Sequence, residues 1–554
     1  MDYGIVKGHY HQKVLVENPR FNPVAPIAKS SLLIAALVIL TVLTVLPNPA
    51  DAEDEEFITV GAFTYELESH EATLIEYDDT LGSEISVPSH FEYDGITYDI
   101  TGIDFTAFES TEATSLHIPS TVKMIIHPEY MSLSFFEIMV DKDNDHLRSI
   151  DGVLYSKDGA EIIKYPAAKE GIEYHIPNAV TIIGQGAFAG CNLESVWIGE
   201  KMRIIGSYAF MECKRLSNIN SDSGINSLPS NVMMIGVLAF ESCISLESLL
   251  LPESLTVISS LAFYHSGLKT ISIGPYVELI GYGAFAECSE LESIEVEIGN
   301  ERYATEDGVL YAVSSVSSAE ATILLAYPAG SPRTTFKIPS EITDIEAMAF
   351  QGCVNLKTVI MSDSMRTVDA YSFNYCPSLE KVVLSNSILS IGSMAFAYCT
   401  SLKEIKWGNN LEVIEEMAFY HSGIASLKLP KSLEEIEDYA FAECMNMTEI
   451  TFPENMTHIG NYIFIESFNL QYIDFNCIYA EIEPYALEIG TEEKPASVLA
   501  HAVRGFDVPT PLYHEYTEIE WDIDGERPYP YENFIGVAIC VLVLIGIIRL
   551  FREV

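Results

Sequence analysis

The sequence predicts a mainly β solenoid, built from units of about 23 residues with short parallel strands. Three observations carry this prediction: a phenylalanine that returns in register, apolar positions that alternate on both sides of a turn, and a small residue before the phenylalanine. The ruler runs through Phe188, Phe210, Phe240, Phe263, Phe285, Phe350, Phe373, Phe396, Phe419, Phe441 and Phe464, in steps of 22 or 23 except for one of 30 and one of 65. Two units show the skeleton: LEKVVLSNSILSIGSMAFAYC from Leu379 and LKEIKWGNNLEVIEEMAFYHS from Leu402. Leu402, Ile405 and Trp407 fall near strand period and point one way, and the second apolar pair with the Ala-Phe step points back. One such unit cannot close a core, but stacked neighbours bury it coil on coil.

Each element has a sequence reason. Pro252, Pro430 and Pro453 follow the first strand, where no ladder donor is wanted. Gly206, Gly236, Gly281, Gly392 and Gly460 follow the second apolar pair and are expected to allow a tight turn. The alanine beside each phenylalanine is expected to be small because the next coil lies close. The long step of 30 holds a polar insert at about 221–227. The step of 65 holds an extra module that also occurs earlier, and both copies carry DGVLY, at 151–155 and 307–311.

Two apolar runs flank the repeats. SSLLIAALVILTVLTVL from Ser30 follows a basic stretch and precedes Ala50-Asp51-Ala52, the form of a signal-peptidase site. Residues 1–52 are therefore expected to be a signal peptide cleaved after Ala52, or an uncleaved anchor. FIGVAICVLVLIGII from Phe534 precedes Arg549 and Arg552, and 534–551 is expected to be a C-terminal transmembrane helix with a cytoplasmic stub at 552–554. Between them the expected order is a capping module with a first repeat at 53–110, divergent repeats at 111–175 and regular repeats at 176–298. The inserted module at 299–337, further repeats at 338–489 and an acidic, proline-containing stalk at 490–533 complete it. This reading places the protein in the cell membrane, single-pass at its C-terminus, with the repeats extracellular.

The repeated I-G-x-x-A-F-x-x-C pattern and its period resemble the BspA-like, treponemal-type leucine-rich repeats of microbial surface proteins. The match is carried by IPNAVTIIGQGAFAGCNLESVWIG at 176–199 and LPKSLEEIEDYAFAECMNMTEITFP at 429–453, and extends over about 57–489. The resemblance implies a curved or twisted right-handed leucine-rich repeat stack that acts by adhesion to host or matrix. The expected function is thus that of a membrane-anchored, non-enzymatic adhesin. Its expected partners are a protein or glycan on another cell, the matrix or the envelope. The alternative is a structural envelope protein that packs laterally without an external ligand.

Charge narrows the partners further. Against 80 acidic residues stand 30 basic ones, a formal charge of −50, which repels phosphate backbones and excludes a nucleic-acid partner. Eight of the ten cysteines stand three residues after the ruler phenylalanine, and they are expected to be small buried thiols; His265 and His421 are read as their replacements in the FYHSG units. Asp141, Asp143 and Asp145 imitate a calcium loop, but His146 stands where that loop needs glycine, so a solvated turn is expected. No cofactor or metal is expected, and no nucleophile or phosphate-loop motif rises above the repeat. In strands of the form L-x-x-I-x, the residues flanking the isoleucine face outward. The candidate binding face drawn from them is Trp197, Leu250, Ile360, Val383, Lys406, Lys428 and Tyr472. Asn446 and Asn455 head formal N-glycosylation sequons.

Overall fold

The computed structural model describes residues 56–79, 82–108, 111–126, 135–313, 321–478, 480–491, 493–503 and 516–523. The described residues from Ile58 onward form one compact unit. It opens with a sheet in which Phe63–Glu68, Glu71–Tyr77, Ile96–Asp104 and His90–Tyr93 lie side by side. Stacked Tyr65, Phe91 and Tyr98 rings close its apolar side, with centroids 4.5 and 5.5 Å apart.

The solenoid follows as two parallel ladders. The first is made of the three- and four-residue strands that hold the outward columns, among them Ser195–Trp197, Thr358–Ile360, Lys381–Val383, Glu404–Lys406 and Ser426–Lys428. The second is made of two-residue strands, such as Ile204–Ile205 and Val413–Ile414, paired in register from coil to coil. Each DGVLY module is a hairpin whose last strand starts a stretch of that second ladder. Glu161–Lys164 pairs in parallel with Ile182–Ile183, and Ala321–Ala326 with Asp344–Ile345. Asp151-Gly152 and Asp307-Gly308 both sit at positive φ, as a two-residue hairpin turn of this kind requires.

The ruler phenylalanines form the axis of the core. Successive rings from Phe188 to Phe285 lie 5.0 to 5.8 Å apart, and the stack resumes from Phe350 to Phe464. The alanines before them are closely packed; Ala209, Ala239, Ala395 and Ala418 have no exposed surface. The glycines have a different task from the one expected. Gly206, Gly236, Gly281, Gly392 and Gly460 are absent from the left-handed region; instead, a Cβ at Gly236 would stand 2.4 Å from the backbone nitrogen of Ser207 in the coil before. They let coils touch. The left-handed turns fall two residues later, on Tyr208, Leu238, Met394 and Met417, and again two residues after the phenylalanine, on Glu212, Tyr398 and Glu443.

Four expectations change. The cysteine column is continued by Ser266 and Ser422, not by His265 and His421: their hydroxyls lie 3.3 and 3.2 Å from the Sγ atoms of Cys288 and Cys444. The stretch 490–533, read as a stalk, contributes Ala496–Ala502 and Thr517–Ile523 as two further parallel strands of the first ladder. The expected signal peptide at 1–52 and its cleavage after Ala52 lie outside the described residues, as does 534–551. Among the described residues no helix is long and apolar enough to cross a membrane. Their apolar residues are shared out two or three at a time among inward-facing strand and turn positions. The transmembrane helix, the membrane-embedded partner at 534–551 and the single-pass, membrane-anchored localisation are therefore withdrawn.

Candidate interaction faces

Outward residues of the first ladder are brought into columns by strand register. His175, Trp197 and Asn220 stand opposite one another on successive strands. The Trp197 indole is half-buried and stacks on His175, with ring centroids 5.9 Å apart and planes 10° from parallel. The insert then interrupts the column. Leu250 pairs with Ser227 of the insert, and its N–H donates to the carbonyl of Asn226 at 2.7 Å. Leu250 is 62% exposed, but Trp197 is not its register neighbour, so the two do not build one apolar patch.

A second stretch is continuous. Lys337, Ile360, Val383 and Lys406 are in direct register on four adjacent strands. Ile360 and Val383 are half-buried, whereas Lys337, Lys406 and Lys428 are exposed. Beside them, Lys381 pairs with Glu404 of the next coil, and Lys357 with Glu380 at 3.0 Å. Among the described residues, Lys337, Lys406 and Lys428 have no such carboxylate. Tyr472 stands in the neighbouring column, between Glu449 and Leu499. Lys337 escaped the sequence reading because its strand follows the inserted module. The signal that finds it is the shared ending of EYHIP, TFKIP and SLKLP.

Both sequon asparagines are exposed, and each is followed by a buried methionine. The Asn455 amide donates to the Lys431 carbonyl at 2.8 Å, and the sequon hydroxyls of Thr448 and Thr457 donate to Ala425 and Glu434 carbonyls. These groups hold turns to turns. The calcium-like run does the same: Asp141 faces His117 at 3.0 Å and accepts from the N–H of Ser120. The residue of consequence there is Asn144, which sequence reading missed. It is fully buried, donates to the carbonyls of Pro119 and Val122, and accepts from the N–H groups of His146 and Leu147. Asn300 repeats this pattern with Gly274, Val277, Arg302 and Tyr303. Its signal was the common offset of seven residues before each DGVLY.

Chemically the coils are quiet. Nine cysteines among the described residues are free and buried, and burial pushes the Cys213 thiol up to about 12 and those of Cys288 and Cys444 up to about 11. Each of these thiols donates to the carbonyl of the preceding ruler phenylalanine, as Cys213 does to Phe188 at 3.0 Å. Among the described residues no group of three or more His, Cys, Asp or Glu side chains could hold a metal ion. A pocket where the two repeat blocks meet, lined by Phe285, Leu310, Leu325 and Glu346, has a volume of about 10 Å³, enough for one water.

The class these features define is a repeat protein built of two exposed parallel ladders. The model of the BspA type leucine rich repeat region matches residues 169–232, 226–306, 329–428 and 412–492, and the chain belongs to that family. It is a leucine-rich repeat protein. Among solved structures it is similar to a leucine-rich cell surface protein from Faecalibacterium prausnitzii, at 22% identity over 76% of this chain and 96% of that one, with a TM-score of 0.40. A leucine-rich repeat protein from Eubacterium ventriosum shares 23% identity over 62% and 92% of the two chains, with a TM-score of 0.46. The pneumococcal vaccine antigen PcpA shares 18% over 84% and 99%, with a TM-score of 0.40. No curated protein matches the chain.

Proposed function

We propose that this protein is a structural repeat protein that works by packing its ladder faces laterally against other protein surfaces, copies of itself first among them. The observation that carries this reading is the make-up of the first ladder. Its outward columns are largely polar, and the apolar residues expected to form a ligand patch are separated (Trp197 from Leu250) or half-sunk between lysines (Ile360 and Val383). Such a surface lacks the enclosed apolar concavity that small ligands need. It suits side-by-side contact between stacked repeats, where many weak, regularly spaced pairs add. The formal charge of −50 resists such packing at low ionic strength and yields to screening at physiological salt.

Sedimentation of the full chain over a concentration series, at about 0.15 M salt with and without millimolar divalent cations, tests this. Concentration-dependent assembly is the expected outcome. A chain that stays monomeric throughout, yet is retained on foreign protein or glycan surfaces, refutes it in favour of adhesion to an external ligand.

A further inference from the structure

On the reading of lateral packing, the structure also points to which faces meet. We propose that the lysine column of the first ladder on one copy seats against the glutamate column of the second ladder on the next copy.

Both columns are set by the same coils. The unit that begins at Leu402 places exposed Lys406 on its first strand and exposed Glu412 just before its second. The following unit places Lys428 on its first strand, and Glu434 and Glu435 at its second, all exposed. The N–H of Glu434 donates to the carbonyl of Glu412 at 2.9 Å, and Glu435 is in register with Val413, so the carboxylates rise with the coils. Lys406 with Glu412, and Lys428 with Glu434 and Glu435, therefore recur from one coil to the next, and coils stack at roughly the 4.8 Å spacing of neighbouring strands. Two copies with parallel axes bring lysine to glutamate at both of these coils without adjustment.

Each column lacks a partner within its own chain. Among the described residues, Lys337, Lys406 and Lys428 form no ion pair, and neither do Glu412, Glu434 and Glu435. Elsewhere on the same coils lysines are matched internally, as Lys381 is by Glu404 and Lys431 by Glu454. Half-buried Ile360 and Val383 continue the lysine column to Lys337 and supply apolar contact along it. In a molecule carrying a net −50, a run of unmatched lysines is the place where an acidic surface is welcome, and the chain's own second ladder is such a surface. Because the two faces differ, the contact is heterologous and grows into open strings instead of closing as a dimer.

The test is a charge swap in the full chain at about 0.15 M salt, read by sedimentation velocity. One variant carries K406E and K428E, the other E412K, E434K and E435K; K406Q/K428Q serves if reversal impairs folding, with circular dichroism as the check. The wild type is expected to associate, each variant alone to associate at least tenfold more weakly, and an equimolar mixture of the two reversals to regain assembly. Assembly of the variants at wild-type strength overturns the proposed faces while lateral packing stands. Association through the apolar terminal runs, which charge reversal leaves untouched, overturns both. A wild type that never associates overturns both, and so does a monomer whose lysine column instead captures a poly-glutamate peptide.

Discussion

The rings of Phe396 and Phe419 lie one above the other, with centroids 5.4 Å apart and planes 10° from parallel, and Phe373 continues the stack on the other side at 5.2 Å. Each is packed on both flat faces by its own kind, and Trp407 meets Phe419 edge-on at 6.1 Å. Removing one ring therefore strips contacts from two neighbours as well as leaving a cavity. Phe396→Ala is expected to cost about 3–5 kcal/mol. A one-dimensional stack does not share that loss evenly. Hydrogen exchange should show protection falling most in the coils of Phe373, Phe396 and Phe419 and recovering outward. Uniform loss along the whole chain contradicts a ladder of separable coils.

The cysteine column behaves differently because its polar atom already has a partner. Cys376 donates to the Phe350 carbonyl at 3.1 Å, and Ser467, at the equivalent place further along the column, donates to the Phe441 carbonyl at 3.0 Å. A serine here is satisfied. Cys376→Ser is thus expected to cost under about 1 kcal/mol, and Cys376→Ala about as much or more, because it empties the site and leaves the Phe350 carbonyl with only the Cys353 N–H as donor. Chemical denaturation of the two variants ranks them. Mass spectrometry of unreduced protein should find adjacent column members unlinked, in keeping with the free, buried thiols of the column.

How far the sequence reaches is visible in these two columns. The ring ladder was legible because side-chain identity itself repeats, so Phe373, Phe396 and Phe419 announced their stacking without any knowledge of backbone path. Distances between coils leave no such trace. That is why Gly236 could be taken for a turn former, when a Cβ there would meet the coil before it. Register across an insertion is equally hidden: a polar loop of about seven residues sets Leu250 against Ser227 and splits the expected binding column. Past Phe464 the ruler itself fades, so Val498, Ala500 and Ala502, all buried, passed for part of a stalk among prolines and acids. The lysine column was half seen, through Lys406 and Lys428, because the eye follows apolar residues in a search for binding faces.

Asn144 is expected to be among the most sensitive polar positions. Its amide satisfies two carbonyls and two N–H groups from two different stretches of backbone, with no exposed surface of its own. Asn144→Ala leaves buried groups without partners and should cost about 3 kcal/mol or more. Asn144→Asp keeps the acceptor for His146 and Leu147 but sets a carboxylate against the Pro119 and Val122 carbonyls, and is expected to be no milder. The same pair of substitutions at Asn300 should act alike, since its four partners repeat the pattern. A melting temperature unchanged by Asn144→Ala contradicts the role.

Glu241 gives the fold a pH dependence whose sign is unusual for a carboxylate. Burial, reinforced by neighbouring Glu212, pushes its pKa up to about 7, from an ordinary value of 4.5. The folded state therefore holds the proton more tightly than the unfolded chain. In the window between about 4.5 and 7 the native protein binds more protons, and stability falls as pH rises; above that window the loss is complete and the curve flattens. Glu161, Glu346 and Asp369 are pushed up by burial as well and add in the same direction. The loss at Glu241 alone amounts to at most about 3 kcal/mol, since each tenfold change in proton affinity is worth about 1.4 kcal/mol. Glu241→Gln supplies the neutral form at every pH. It is expected to leave stability at pH 5 nearly unchanged, to raise it by about 1–3 kcal/mol at pH 8, and so to flatten the profile between them. Urea unfolding of wild type and variant at pH 5, 6, 7 and 8 checks this. A variant less stable than the wild type at pH 8 would mean that the ionised carboxylate is held by partners strong enough to outweigh its burial.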